Sequence, residues 1–248
     1  MPKSAGTAAE RTAIASGELD SRMIKRYELI VFDWDGTLMD SEDRIVACIQ
    51  YAADAADVPV PTPQAAREII GLGLDEAIRR LFPASGDRES ARLLEAYREH
   101  WLGDEIAPAA MFAGAHELIA GLHRAGYLLA VATGKSRRGL DKALDDSGLG
   151  GFFHATRCAD EAFSKPHPKM LQDILTDLDT DAAAAVMVGD TEFDMQMARS
   201  AGVDSVGVAH GVHEVDRLNA QGAILCFDDL FQLSDWLKRP AGPIDREA

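Results

Sequence analysis

Two aspartates one residue apart, in Asp33-Trp34-Asp35-Gly36-Thr37, follow the apolar run Leu29-Ile30-Val31-Phe32. Carboxylates at that spacing repel one another and lose hydration past a buried strand, which is costly unless a cation pairs with them. A strand that ends on them points to metal binding or acid–base work. Gly36 permits the tight turn that brings both carboxylates to one pocket. The competing reading is an Asp-Gly turn on a surface loop.

Three further segments carry chemistry. In Thr133-Gly134-Lys135 a hydroxyl precedes a glycine N–H, a pair able to hold a phosphate oxygen, although Thr is also an ordinary helix N-cap. Lys165 sits in Ser164-Lys165-Pro166-His167-Pro168, stiffened by two prolines; it could neutralise a carboxylate cluster, or be one more solvated loop lysine. His167 reads as a bystander. In Gly189-Asp190-Thr191-Glu192-Phe193-Asp194 the aspartates are four apart, so one leaves a strand while the other enters a helix and both face one pocket. Here the alternative is helix capping by Asp190, with Asp194 favourable to the helix dipole. Carboxylate oxygens without a cysteine or histidine cluster favour Mg²⁺ over zinc. Four acids, one lysine and one threonine at strand ends are what phosphoryl transfer needs, since a cation must screen a negative phosphate from a negative nucleophile.

These residues need elements to position them. Continuous apolar runs at 29–32, 128–132 and 185–188 predict strands buried on both faces, with weaker candidates at 205–208 and 223–226. Helical periodicity falls between them, at 115–125, 138–147, 168–178 and 193–201. Strand alternating with helix predicts an α/β fold, a three-layer parallel sheet of Rossmann-like type, with ligands at the carboxyl ends of the strands. Residues 41–108 break the alternation: only helical patterns occur, at 44–56, 63–70, 75–82 and 88–102, punctuated by turn formers. They predict a small helical domain inserted into a core of 27–40 and 109–248, lying over the site as a lid. Residues 1–26 read as a mobile tail without a signal-peptide segment, with Met23 a candidate natural start.

In order, the four motifs resemble those of the haloacid dehalogenase-like superfamily, and the insert resembles that family's helical cap. The string Phe32 to Ser41 further resembles the phosphoglycolate phosphatase-like branch. The resemblance implies that Asp33 is the nucleophile and forms an aspartyl-phosphate, and that Asp35 is the general acid and base. It also implies that Mg²⁺ is held by Asp33, the Asp35 main-chain oxygen and Asp190, with Asp194 a ligand or a neighbour of the ligands. Thr133 and Gly134 would bind phosphoryl oxygens and Lys165 would balance charge. True dehalogenases of the superfamily lack the second acid, so Asp35 argues against C–halogen hydrolysis. The implied activity is a phosphomonoesterase for a small phosphorylated metabolite, 2-phosphoglycolate first. Rivals are a sugar-phosphate mutase, a pyrophosphatase, a nucleotidase and, in another class, a non-catalytic binding protein. Phosphonate hydrolysis is disfavoured because that branch uses a cap lysine and residues 41–108 contain none. Gly134 stands where many relatives carry Asn. Gly71 and Gly73 resemble the loop that relatives set against the leaving group, and Arg79, Lys135, Arg137 and Arg138 are candidate partners for a substrate carboxylate.

With 25 Lys+Arg against 41 Asp+Glu over 248 residues, the formal charge of −16 disfavours nucleic acid and anionic membranes as partners. The three widely spaced cysteines, Cys48, Cys158 and Cys226, read as reduced thiols in a cytoplasmic protein, a monomer or homodimer.

Overall fold

The structure, a computed structural model, describes residues 26–103 and 109–239. The N-terminal tail up to residue 25, with Met23, and the expected end of the insert at 104–108 lie outside the described residues.

The core is a six-stranded, all-parallel sheet. In chain order its strands are β1 (Leu29–Phe32), β4 (Leu128–Thr133), β5 (Ala155–Cys158), β6 (Ala185–Gly189), β7 (Asp204–Val208) and β8 (Cys226–Phe227), and in space they run β5-β4-β1-β6-β7-β8. β1 is central, pairing Leu29 with both Leu128 and Ala185. All four of its residues are fully buried, so it shows no polar alternation.

The strand's period of two divides its side chains between two cores. Ile30 and Phe32 pack on helices α5 (Ala115–Arg124), α6 (Arg137–Ser147) and α10 (Leu230–Leu237). Leu29 and Val31 face α7 (Lys169–Asp177) and α8 (Glu192–Ala201), through Met170, Ile174 and Met197. The expected three layers are present.

Between β1 and α5 the chain forms α1 (Glu42–Ala55), α2 (Pro63–Arg67), α3 (Leu74–Leu81) and α4 (Asp87–Leu102). Their two apolar clusters centre on Ile45, Ile49 and Ile70 and on Ala53, Ile78 and Leu93. Phe193 of α8 reaches into the first cluster, so the insert packs on the core directly. At its neck, β2 (Met39–Asp40) and β3 (Ala110–Met111) form a two-residue antiparallel pair, which brings the ends of the insert together.

Some elements differ from expectation. The last strand is Cys226–Phe227 and not 223–226, because Ile224 N–H and Ser205 C=O bond outside the ladder, which starts only at Gly207↔Cys226. β2, β3 and β5 were not anticipated, nor were α9 (Val215–Ala220) and α10. Burial ranks the core positions. Replacing Leu118, 1% exposed under the sheet, by Ala should cost about 2–5 kcal/mol in denaturant unfolding. Phe163→Ala, at a residue 65% exposed, should stay within about 0.5 kcal/mol.

Candidate active site

Three adjacent central strands deliver the site. Asp33 follows β1, Thr133 ends β4 and Asp190 follows β6, while Asp194 comes from the first turn of α8 and Lys165 from the loop between β5 and α7. Asp33, Thr133, Lys165, Asp190 and Asp194 are each no more than 1% exposed.

The turn after β1 is built as its sequence suggested. Gly36, at φ +78°, donates its N–H to Met39 O at 2.8 Å. A Cβ on Gly36 would lie 2.2 Å from an Asp190 oxygen, so the close approach as well as the left-handed backbone requires glycine.

Lys165 is buried, not solvated. Its Nζ lies 2.8 Å from Asp33 Oδ1 and 2.7 Å from Asp194 Oδ1. Burial disfavours the charged lysine, yet Asp194 and Asp33 hold the ammonium above its usual pKa. Asp194 also accepts from Thr191, from the N–H at 3.1 Å and the hydroxyl at 2.7 Å, so both its oxygens face donors. Thr191, not Asp190, is therefore the N-cap of α8. The Asp190 carboxylate instead accepts from the Thr37 hydroxyl at 2.8 Å and from Val212 N–H at 3.0 Å. Likewise Ser136, not Thr133, caps α6.

Asp33 is asymmetric. Its Oδ1 accepts from Trp34 N–H at 2.6 Å and pairs with Lys165, whereas Oδ2 is buried with no hydrogen-bond partner among the described residues. Oxygens of Asp33, Asp190 and Asp194 lie within 4.8 Å of one another. Three buried carboxylates against one ammonium leave net negative charge in a low dielectric. Burial, then Asp194 and Asp190, push the Asp33 carboxyl well above the usual range against the pull of Lys165. Burial and then Asp194 push Asp190 up to about 7. An orphaned carboxylate oxygen in an electron-rich, all-oxygen cluster fits a hard divalent cation such as Mg²⁺.

Asp35 stands at the open side. Its Oδ1 accepts from the Ser41 hydroxyl at 2.5 Å and from Lys135 Nζ at 2.8 Å. Lys135 also lies 4.4 Å from the centre of the Trp101 ring on α4, a cation–π contact that joins insert to core. Above the carboxylates is a cavity of about 540 Å³ whose lining includes Asp33, Asp35, Thr133, Gly134 and Lys135 from the core. The insert supplies the facing wall, Gly71 and Gly73 included, and the core adds Ser136, Arg138, Asp160 and Ser164. The Gly73 N–H is engaged by Ser164 Oγ at 2.8 Å and that of Leu72 by Ile69 O at 3.3 Å, so these two amides are not directed at a ligand. A Cβ on Gly134 would sit 2.4 Å from Leu72 O, so the insert loop occupies space that an asparagine side chain would need.

Arg79, Lys135 and Arg138 line the cavity, whereas Arg137 pairs with Glu161 at 2.7 Å and does not. The His167 ring lies tilted against Phe163, ring centres 4.5 Å apart. Sequence reading gave no role to the Ser41 hydroxyl, Trp101, Ser164 or Val212. The only local signal is Ser41, in the string that follows Asp35; the others meet the site across long sequence separations.

A parallel α/β sandwich that gathers acids, a lysine and a hydroxyl at its central strand ends is built as an enzyme acting on an anionic group. Residues 30–208 match the family of haloacid dehalogenase-like hydrolases, and the chain belongs to that family. It is 37% identical over 198 residues to "Probable phosphatase IndB" of Dickeya dadantii, covering 77% of this chain and 85% of that one. It is 31% identical over 222 residues to a phosphoglycolate phosphatase of Mesorhizobium japonicum, covering 86% and 98%. The crystal structure of a hydrolase from Pseudomonas syringae shares the fold, with TM-score 0.77 at 23% identity over 85% of this chain and 97% of that one. No helix among the described residues is long and apolar enough to cross a membrane.

The raised Asp190 sets a pH dependence. Folded, it keeps its proton to about pH 7; unfolded, it loses it near its ordinary value of 3.8. Between those values unfolding releases a proton, so the metal-free stability this group confers is full below about pH 4 and lost as pH rises through 7. A divalent cation such as Mg²⁺ held by these acids would supply the missing positive charge only once the proton is gone. Scanning calorimetry in EDTA should show the decline from pH 5 to 7.5. Saturating Mg²⁺ should raise the melting temperature by roughly 5 °C or more at pH 7.5 and by less at pH 5; equal shifts at both would count against the cluster as the metal site.

Proposed function

We propose that this chain is a magnesium-dependent phosphomonoesterase that hydrolyses the phosphate ester of a small metabolite through an aspartyl-phosphate on Asp33. The observation that carries the reading is the asymmetry of Asp33: one oxygen is fixed by Lys165 and the Trp34 N–H, the other has no donor and stands among acids at the floor of the cavity. The hydrolase class follows from the family, and the phosphatase names of the relatives support phosphoric monoester hydrolysis.

In this reading an Asp33 oxygen attacks phosphorus and the bond from phosphorus to the ester oxygen breaks. Asp35 gives its proton to the departing alkoxide and then takes one from the water that cleaves the phosphorus–Asp33 bond, releasing orthophosphate. Ser41 and Lys135 fix Asp35 by one oxygen and leave the other to meet the ester. Thr133 and the Gly134 N–H hold phosphoryl oxygens. Asp33, the Asp35 carbonyl and Asp190 would hold Mg²⁺, which screens the nucleophile from the phosphate charge. Asp194, with both oxygens facing donors, orients Lys165. The helical insert of 41–108 opens to admit the ester and closes to exclude water, in a cytoplasmic setting.

For the alcohol, sequence resemblance and the Mesorhizobium relative's name favour 2-phosphoglycolate. At about a third identity such names support the chemistry at phosphorus and leave the rest of the ester open. Phosphate release from a panel of phosphomonoesters and pyrophosphate, with Mg²⁺ and with EDTA, tests the reading. Asp33→Asn should fall below about one thousandth of wild-type turnover with an unchanged circular dichroism spectrum. Full activity in that variant would sink the nucleophile. Phosphate exchange between sugar phosphates without net release would replace the phosphatase by a mutase.

A further inference from the structure

The cavity says more about the alcohol than the motifs do. At about 540 Å³ it falls in the range of sites for drug-sized organic ligands, about 300–1,000 Å³, far more than a two-carbon acid fills. The insert faces the carboxylates with Ile45 and Ile49 of α1, Leu72 and Leu74 at the start of α3, and Tyr97 and Trp101 of α4. The two rings lie nearly parallel, 7° apart with centres 6.1 Å apart, one turn apart on the helix.

The charges on the walls point the same way. Insert cations meet insert acids that share the lining: Arg79 with Glu76 at 2.9 Å, Arg98 with Asp75 at 3.6 Å. Lys135, 7% exposed, is committed to Asp35. Only Arg138, at the exposed rim, has no recorded ion pair among the described residues. A carboxylate one carbon from the ester oxygen would have to take Lys135 from Asp35 or reach Arg138 at the rim, and would share the wall with the acids Asp75, Glu76 and Asp160.

We propose that the alcohol released is ring-sized and largely apolar, an aromatic or alicyclic body seated against the insert, and not a two-carbon acid. The proposal rests on the phosphomonoesterase reading for its phosphate end and on the cavity for everything beyond. Apolar area removed from water should then raise the specificity constant by about threefold to fourfold for each methylene fully buried.

Primary alkyl esters test this with the leaving-group basicity nearly constant. With saturating Mg²⁺, kcat/KM should climb at least tenfold from ethyl through butyl to hexyl phosphate. Benzyl phosphate should equal or exceed hexyl, and 2-phosphoglycolate should fall below both. A flat or falling series, or 2-phosphoglycolate above benzyl phosphate, overturns the proposal. Ile49→Asp should flatten the series. Since a variant that fails to fold would leave the series unread, calorimetric affinities of wild-type protein for ethyl-, hexyl- and benzylphosphonate, which carry no cleavable ester, provide the second measure and should rise in the same order. The two readings separate cleanly. Absence of turnover with rising phosphonate affinity removes the phosphatase and keeps the apolar site, whereas turnover of every ester with no size preference, and level affinities, removes the apolar site alone.

Discussion

The ammonium of Lys165, buried between Asp33 and Asp194, is the interaction on which the rest of the site depends. A lone buried ammonium costs several kcal/mol, and two carboxylates at 2.7–2.8 Å compensate it. Those carboxylates, with Asp190 beside them, overshoot the compensation and leave the pocket electron-rich. The protein relieves part of the excess with neutral donors: the Thr37 and Thr191 hydroxyls and the Trp34, Thr191 and Val212 amides all point at acids. One oxygen, Asp33 Oδ2, receives none of them. The same imbalance that raises the pKa of Asp33 and Asp190 makes the pocket fit for a cation.

That arrangement dictates the topology around it. Asp33, Thr133 and Asp190 share a pocket because β4, β1 and β6 are neighbours in one parallel sheet and end on the same side. Asp33 N–H bonds to Val188 O at 2.9 Å, so pairing of β1 with β6 continues into the turn that carries Asp33. The insert is tied to this edge at several points: Phe193 in its apolar cluster, Arg217 of α9 between Glu68 and Glu192, and the Gly71–Gly73 loop against Gly134 and Ser164. Through Trp101 and Lys135 it also reaches Asp35. The position of the insert and the setting of the second acid are thus physically connected.

The sequence exposed the parts governed by local pattern. β1, β4 and β6 are buried on both faces and appear as unbroken apolar runs, and the acids at their ends stand out against such runs. β5 escaped because Ala-Thr-Arg-Cys, half-buried at the sheet edge, has no apolar signature. β2 and β3 are two residues each and exist through each other. Lys165 was legible as a candidate, but its burial was not, since nothing within the loop shows that Asp33 and Asp194 converge on it. Ser41 as the partner of Asp35, and Trp101 as the partner of Lys135, required the closed geometry of the insert.

Apolar walls and a charged floor are parts of one device. Coulombic interactions strengthen as effective dielectric falls, so the apolar side chains of Ile45, Ile49, Leu72 and Trp101, which line the same cavity as Asp35 and Lys135, favour the attraction between those two. Under the proposed function, a leaving group that fills the apolar volume would exclude water further, and one that leaves it partly wet would not. Gly134 fits this logic: lacking a side chain, it lets the Leu72 carbonyl approach and brings the insert loop down onto the end of β4. Under the proposed function, discrimination among alcohols and the electrostatics at phosphorus would therefore draw on adjoining side chains of one cavity.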